Sequence, residues 1–281
     1  MNITTLLDKV YFAPRLKKID FYANRAGELQ HRVLDRLVRM AENTEWGKKY
    51  DYKSIHTYED FRNRLPIQTY EEVKPYVERL RAGEQNLLWP SEIRWFAKSS
   101  GTTNDKSKFL PVSKEALNDT HYQGGKDAVA LYLGQNPDSR FFSGKGLILG
   151  GSHSPNLNSK HSLVGDLSAI LIQNVYPLVN CVRVPSKKIA LMSDFESKMV
   201  AIANSTISQN VTNLSGVPSW MLVLIKHILE KTGKQSLEEI WPNLEVFFHG
   251  GVAFTPYREQ YKEVIRSSNM HYVETYNASE G

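Results

Sequence analysis

Apolar positions along this chain fall first into helical and then into strand-like spacing. Up to about residue 90 the pattern is helical. Leu29, Val33, Leu34, Leu37 and Val38 recur three and four residues apart, while Asp35, Arg36 and Arg39 fall off that stripe. Thr69-Tyr70-Glu71-Glu72 has the form of a capping box, in which a hydroxyl and a carboxylate satisfy free amides at a helix start; Thr57-Tyr58-Glu59-Asp60 is a looser version. Two short apolar runs, Ile93 to Ala97 and Phe109 to Val112, then flank a polar stretch and predict strand, loop, strand.

The alternation continues to the last residues. Ser113 suits the N-cap of a helix from Lys114 to about Leu133. Gly124-Gly125 predicts a bend in that helix or room for a ligand, since each glycine costs about 1 kcal/mol against alanine. Gly146 to Gly151 reads as a buried strand ending in glycines, and Ser193-Asp194-Phe195-Glu196 as a capping box opening a helix to about Ser205. Phe195, Met199, Val200, Ile202 and Ala203 fit the packed face of that helix. After Asn210 come a short strand, a glycine turn, and a helix with Pro218 in its first turn and Gly233 at its stop.

Leu244 to Phe248 predicts a strand, followed by His249-Gly250-Gly251. Thr255-Pro256 is a helix start, with Tyr257, Tyr261, Val264 and Ile265 as its buried stripe, and Met270 to Thr275 is a further strand. Strand, glycine loop, helix, strand is a βαβ unit whose crossover makes the strands parallel. His249 to Gly251 and Tyr276 to Glu280 then share one rim, at the carboxyl ends of strands where open α/β sheets bind ligands. The expected fold class is α/β.

Composition narrows this only in part. With 281 residues, 41% hydrophobic and 11% aromatic, the chain can bury the core of one large domain or two joined subdomains. A net charge of +5, with no block of like charge, favours anionic ligands weakly. Zinc-finger spacing and basic helices interleaved with aromatics are missing, so nucleic acid is not indicated. A single cysteine, Cys181, excludes an intrachain disulfide, suggests a reducing compartment and reads as a small buried hydrophobe. The first residues carry no basic leader, and no segment has the eighteen or so apolar residues of a membrane span, so a soluble cytoplasmic protein is expected. His153, His161 and Asp166 match no metal-ligand spacing and read as a surface loop of unassigned role.

The candidate chemistry lies in Ser99-Ser100-Gly101-Thr102-Thr103-Asn104-Asp105-Lys106-Ser107-Lys108. Its hydroxyls, its glycine and its two lysines suit an anion cradle for a nucleotide triphosphate; they equally suit a solvated turn. A Walker loop is excluded, because the second glycine of that motif is missing and a strand, not a helix, follows.

Phe96-Ala97-Lys98-Ser99-Ser100-Gly101-Thr102-Thr103 closely resembles the phosphate loop of the adenylate-forming superfamily of acyl-CoA synthetases, peptide-synthetase adenylation domains and luciferase. Its doubled serine and Asn-Asp-Lys-Ser-Lys continuation resemble the auxin-responsive promoter family of acyl-acid amido synthetases, in particular its bacterial branch. Tyr276-Asn277-Ala278-Ser279-Glu280 resembles the adenine and metal motif of the superfamily, in the right order along the chain.

The resemblance implies the large N-terminal domain of an adenylate-forming enzyme, with mixed, largely parallel sheets flanked by helices. Residues 1–90 would be a mainly helical region packed on the core, and 91–281 the nucleotide-binding α/β region. It implies ATP-dependent activation of a carboxylic acid as the acyl-adenylate, followed by conjugation to an amine or amino acid, with Mg²⁺. Ser99, Ser100, Gly101, Thr102, Thr103, Lys106 and Lys108 would contact phosphates, with Thr102, Thr103 and Lys108 assisting catalysis. Gly250, Gly251, Tyr276, Ala278 and Ser279 would surround the nucleotide, Glu280 would ligate Mg²⁺, and Tyr122, Gly124 and Val217 would border the acid. The ribose-binding aspartate motif and mobile carboxyl-terminal domain of the family follow the Tyr-x-Ala-Ser-Glu motif and are absent here. A truncated chain is therefore expected, with the alternative of a nucleotide-binding module without complete catalysis.

Overall fold

The computed structural model describes residues 3–99 and 107–280. The chain opens with helices α1 (Ile3–Leu7), α2 (Ala13–Asn24), α3 (Ala26–Ala41), α4 (Glu45–Lys49), α5 (Tyr58–Arg64) and α6 (Tyr70–Arg81). Both threonine boxes form: Thr57 with Asp60 starts α5, and Thr69 with Glu72 starts α6. The α3 stripe is only half covered, with Val38 buried but Val33 and Leu37 exposed. Arg15 of α2 reaches Asp127 at 2.5 Å and 2.7 Å through two guanidinium nitrogens, a forked ion pair that holds the helical region to the centre of the molecule.

Then follow β1 (Trp95–Lys98), β2 (Phe109–Val112), α7 (Tyr122–Gln135), β3 (Lys145–Leu149), β4 (Leu163–Gly165), α8 (Leu167–Asn174), β5 (Arg183–Val184), α9 (Lys187–Ala190), α10 (Phe195–Thr206), β6 (Val211–Gly216), α11 (Pro218–Thr232), β7 (Val246–His249), α12 (Arg258–Val264) and β8 (His271–Glu274). Among the described residues the strands form two sheets. One has the order β2-β1-β4, with β1 antiparallel to β2 and parallel to β4; the other has the order β5-β3-β6-β7-β8 and is parallel throughout.

The larger sheet is covered on both faces, which is why β7 is buried at every position. Phe247 faces Met221, Ile225 and Tyr261, in the core under α10, α11 and α12, while Val246 and Phe248 face Ala130, Tyr132 and Leu133 of α7. This is the two-residue alternation of a strand with a helical layer on each side.

Several expectations change in detail. The helix after Ser113 is loosened not at Gly124-Gly125 but earlier, where Ala116–His121 is wound as a π-turn; both glycines sit in regular helix with open space where a Cβ would stand. Ser113 does cap, accepting from Ala116 N at 3.0 Å. The cap of α10 is Asp194, accepting from Ser197 N at 2.9 Å, rather than Ser193. Thr255-Pro256 begins a single 3₁₀ turn, and α12 starts only at Arg258 without a threonine cap. Cys181 is exposed, not buried. His153 is not in a surface loop: it bridges to Gly165 and packs on Trp95 with ring centroids 5.2 Å apart.

Candidate functional site

The register of the larger sheet brings four strand ends level. Leu149 pairs with Gly216, Gly216 with His249, and His249 with Glu274, so β3, β6, β7 and β8 finish in one row. Just beyond that row stand Gly150, Val217, Gly250 and Thr275, so that Gly150 and Val217 join the rim that the βαβ pattern assigns to His249 to Gly251 and the Tyr276 segment.

Glycine is required here by the backbone itself. A Cβ on Gly250 would stand 2.2 Å from Thr275 O, and Gly251 has φ of +83° and lies against Val217. Thr275 closes the turn, its N and Oγ1 donating to His249 O at 2.7 Å and 3.1 Å.

The hairpin approaches the same rim through β4. Ser99 N donates to Lys108 O at 2.9 Å, and Lys108 N to Ser99 Oγ at 3.3 Å, so the two described ends of the loop face each other. The Lys108 ammonium stands 5.7 Å from the centre of the Tyr70 ring, while Tyr70 Oη accepts from Phe109 N at 2.9 Å. Ser100, Gly101, Thr102, Thr103 and Lys106 lie outside the described residues. In β1, Ala97 pairs with Gly165. The next residue, Asp166, exchanges two bonds with Ser152: its N donates to Ser152 O at 3.0 Å, and its Oδ2 accepts from Ser152 N at 2.9 Å. The smaller sheet is thereby pinned to the turn that ends β3.

The start of α7 joins the third part. Tyr122 packs against Ala97, Val112, Leu117, Leu167 and Ile170, and its hydroxyl donates to Leu171 O at 2.9 Å. Burial pushes this phenol up to about 12, so it stays protonated at neutral pH. The preceding residue, His121, meets Asn277 Oδ1 through Nδ1 at 3.0 Å. One helix end thus touches both the cluster under the hairpin and the segment that follows β8. Within that segment Tyr276 is 90% exposed, Ala278 and Ser279 are half-buried and Glu280 is exposed. Gly124 is exposed one helical turn further on.

The contacts of His121 and Asn277 escape sequence reading, because a histidine in one helix and an asparagine far along the chain carry no spacing signal. Lys198 escapes it too. It lies in α10, where Met199, Ile202 and Ala203 of the expected packed face are buried but Phe195 and Val200 are exposed, and its Nζ donates to Gly150 O at 2.7 Å and Gly151 O at 2.8 Å.

Among solved structures, the fold is similar to the acyl acid amido synthetase AtGH3.15 in complex with 2,4-DB, with a TM-score of 0.76 and 17% identity over 94% of this chain and 55% of that one. It is also similar to 2-hydroxyisobutyryl-CoA ligase in complex with 2-HIB-AMP and CoA, with a TM-score of 0.58 and 11% identity over 92% and 51% of the two chains. In sequence, the indole-3-acetic acid-amido synthetase GH3.2 of Arabidopsis thaliana is 30% identical over 103 residues, 36% of this chain and 19% of the relative. The jasmonoyl-L-amino acid synthetase JAR4 of Nicotiana attenuata is 26% identical over 106 residues, 37% and 18% of the two chains. The alignments thus span under a fifth of these curated relatives, and the structural match spans about half of the solved synthetase. The α/β architecture of mixed, largely parallel sheets is a fold shared with these solved structures. Residues 15–270 match the GH3 family N-terminal domain, and the chain belongs to that family.

Proposed function

We propose that this chain carries the nucleotide and acid half of an adenylation site. The observation that supports this best is convergence: the hairpin ends at Ser99 and Lys108, the row of strand ends at Gly150, Val217 and Gly250, and the Tyr276 segment are tied together through Asp166 and the start of α7. In the parent reaction a carboxylate oxygen attacks the α-phosphorus of ATP, a P–O bond forms, and diphosphate leaves with the electrons of the broken α–β bond. An amine nitrogen then attacks the acyl carbon, AMP leaves, and the nitrogen loses a proton. No covalent protein nucleophile is needed, so the chain's task is to bind and to offset negative charge.

In this reading Ser99, Ser100, Gly101, Thr102, Thr103 and Lys106 bind the phosphates, with Lys108 nearest the leaving diphosphate. Gly250 and Gly251 let the adenine approach, the exposed ring of Tyr276 stacks on it, and Ala278 and Ser279 shape the turn beside it. Tyr122 offers the acid its ring rather than its committed hydroxyl, with Gly124 and Val217 beside it. No group of three or more metal-ligating side chains occurs among the described residues. Glu280 nonetheless fits Mg²⁺ in one way, as a single carboxylate completed by phosphate oxygens and water. When bound, Mg²⁺ supplies charge neutralisation on the phosphates. The partners are a carboxylic acid and an amine or amino acid, and the setting is the cytoplasm; no helix among the described residues is long and apolar enough to cross a membrane.

Calorimetric titration with ATP and Mg²⁺ tests the reading. The chain binds, Tyr276→Ala weakens binding roughly tenfold, as loss of a base stack would, and Glu280→Ala removes the Mg²⁺ dependence. Binding unchanged in both variants defeats it. Carboxylic-acid-stimulated exchange between ATP and diphosphate separates full activation from nucleotide binding without complete catalysis.

A further inference from the structure

Lys198 is 3% exposed, and its ammonium is met by two consecutive backbone carbonyls, Gly150 O and Gly151 O, rather than by a carboxylate; Asp166 acts on it only at a distance. Removing an ammonium from water costs several kcal/mol. An apolar side chain would fill the same space without that cost, so the charge is tied to what it holds. What it holds is the turn after β3, which has other restraints as well. Gly151 N donates to Ser168 Oγ at 2.8 Å, and Ser152 N to Asp166 Oδ2 at 2.9 Å. From Asp166 the connection is short: Gly165 pairs with Ala97, Lys98 pairs with Phe109, and Ser99 N donates to Lys108 O.

We propose that Lys198 is a positioning residue. By holding Gly150 and Gly151 it fixes the turn between β3 and β4, and through Asp166 and the pairing of β4 with β1 it sets where Ser99 and Lys108 stand relative to the rim of the larger sheet. Its functional consequence rests on the reading of the hairpin as phosphate-binding; its structural content does not. An ammonium suits the task because it donates to two carbonyls at once, and it lies outside the candidate site itself. Contiguity alone does not establish coupling between two ends of a network, so the test must read the far end.

The test is amide hydrogen exchange on the full chain, well below the melting temperature, comparing wild type with Lys198→Met. The amides of Ser152, Ser99 and Lys108 exchange at least roughly tenfold faster in the variant, while Leu214 in β6 and Phe247 in β7 keep their rates, the pattern of a sub-global opening. Uniform acceleration across all strands, or unchanged rates at Ser99 and Lys108, overturns the proposal. Restoring the charge supplies the rescue: Lys198→Cys in a Cys181→Ser background, alkylated with 2-bromoethylamine while unfolded and then refolded, regains slow exchange. Where Lys198→Met does not fold, wild-type exchange in sub-denaturing urea decides. Ser152, Ser99 and Lys108 open as one unit, and opening of the hairpin at lower urea than Ser152 overturns the proposal. ATP affinity measured beside exchange falls in Lys198→Met only as far as the open hairpin becomes populated, because apparent affinity scales with the closed fraction. A wild-type chain that binds no ATP defeats the adenylation reading and leaves the exchange result to decide the positioning role.

Discussion

Two strands of the larger sheet end in a glycine pair, and the two pairs are built differently. After β3, Gly150 and Gly151 are enclosed by side chains: Ile172 and Ser168 around the first, Asp166 against the second, and Lys198 on both carbonyls. After β7, Gly250 is pressed against backbone, Thr275 O, while Gly251 turns through a left-handed conformation beside Val217. A histidine accompanies each turn, His153 near the first and His249 before the second, and each has a buried ring nitrogen without a partner among the described residues. The first turn is thus fixed by polar side chains that reach it from α8 and α10, the second by the close pass of a neighbouring strand. A glycine pair at a strand end marks close packing in both cases, whether or not a ligand is near.

The largest effect that sharpens this contrast is expected at Gly250. Gly250→Ala drives a Cβ into a carbonyl oxygen that a paired strand holds in place, and should cost about 3 kcal/mol, the upper range of overpacking, measured as a lowered urea midpoint. Gly150→Ala meets the far end of a side chain instead, Ile172 Cδ1 at 2.8 Å, with Ser168 Oγ at 3.2 Å able to give way at the expense of the bond it accepts from Gly151 N. About 2 kcal/mol is expected; an equal or larger loss than at Gly250 would break the distinction between side-chain and backbone enclosure.

Gly124→Ala should go the other way, stabilising by about 0.5–1 kcal/mol, because the position is helical with open space around it. Weaker binding of a carboxylic acid in this variant, with stability raised, would mark that open space as part of a pocket.

The smallest effect is a slope with pH. Burial lowers the proton affinity of both His153 and His249 below that of a free imidazole. The unfolded chain then takes up these protons first on acidification. Stability contributed by the neutral rings is intact above about pH 6.5, the ordinary histidine value, and is lost as pH falls below it. His249→Phe should flatten part of that slope in urea titrations at pH 7 and pH 5; an unchanged slope would show that His249 does not contribute.

Much of this arrangement is readable from residue order alone. The polar loop between two apolar runs became the β1-β2 hairpin, and strand, glycine loop, helix, strand became parallel β7 and β8 on one rim. Both rest on local patterns, alternation and turn residues, that a sequence displays directly. Long-range contacts are less visible. Nothing near Lys198 announces two carbonyls in a turn far earlier in the chain, and nothing near Tyr122 announces that its hydroxyl is committed to Leu171 O. The π-turn at Ala116–His121 also escaped, because Gly124-Gly125 is the stronger local signal, while this irregularity goes with the tertiary contacts of Leu117 and His121. Ser99 and Lys108 stand out by resemblance to a phosphate loop, and their backbones face each other; the loop between them is described only to its ends.

The order β5-β3-β6-β7-β8 also bears on how the chain reaches this state. β6, β7 and β8 are neighbours both in space and in sequence, each joined to the next by one crossover, whereas β3 must find β6 across everything from Leu149 to Val211. Loop closure is entropically dearer over the longer span, and non-local parallel pairing forms slowly. Assembly should therefore begin in the segment from β6 to β8, with β3 docking onto its open edge afterwards. Until it docks, the apolar edge of β6 is exposed to other chains, and crowded or rapid refolding should lose material to aggregation at that step.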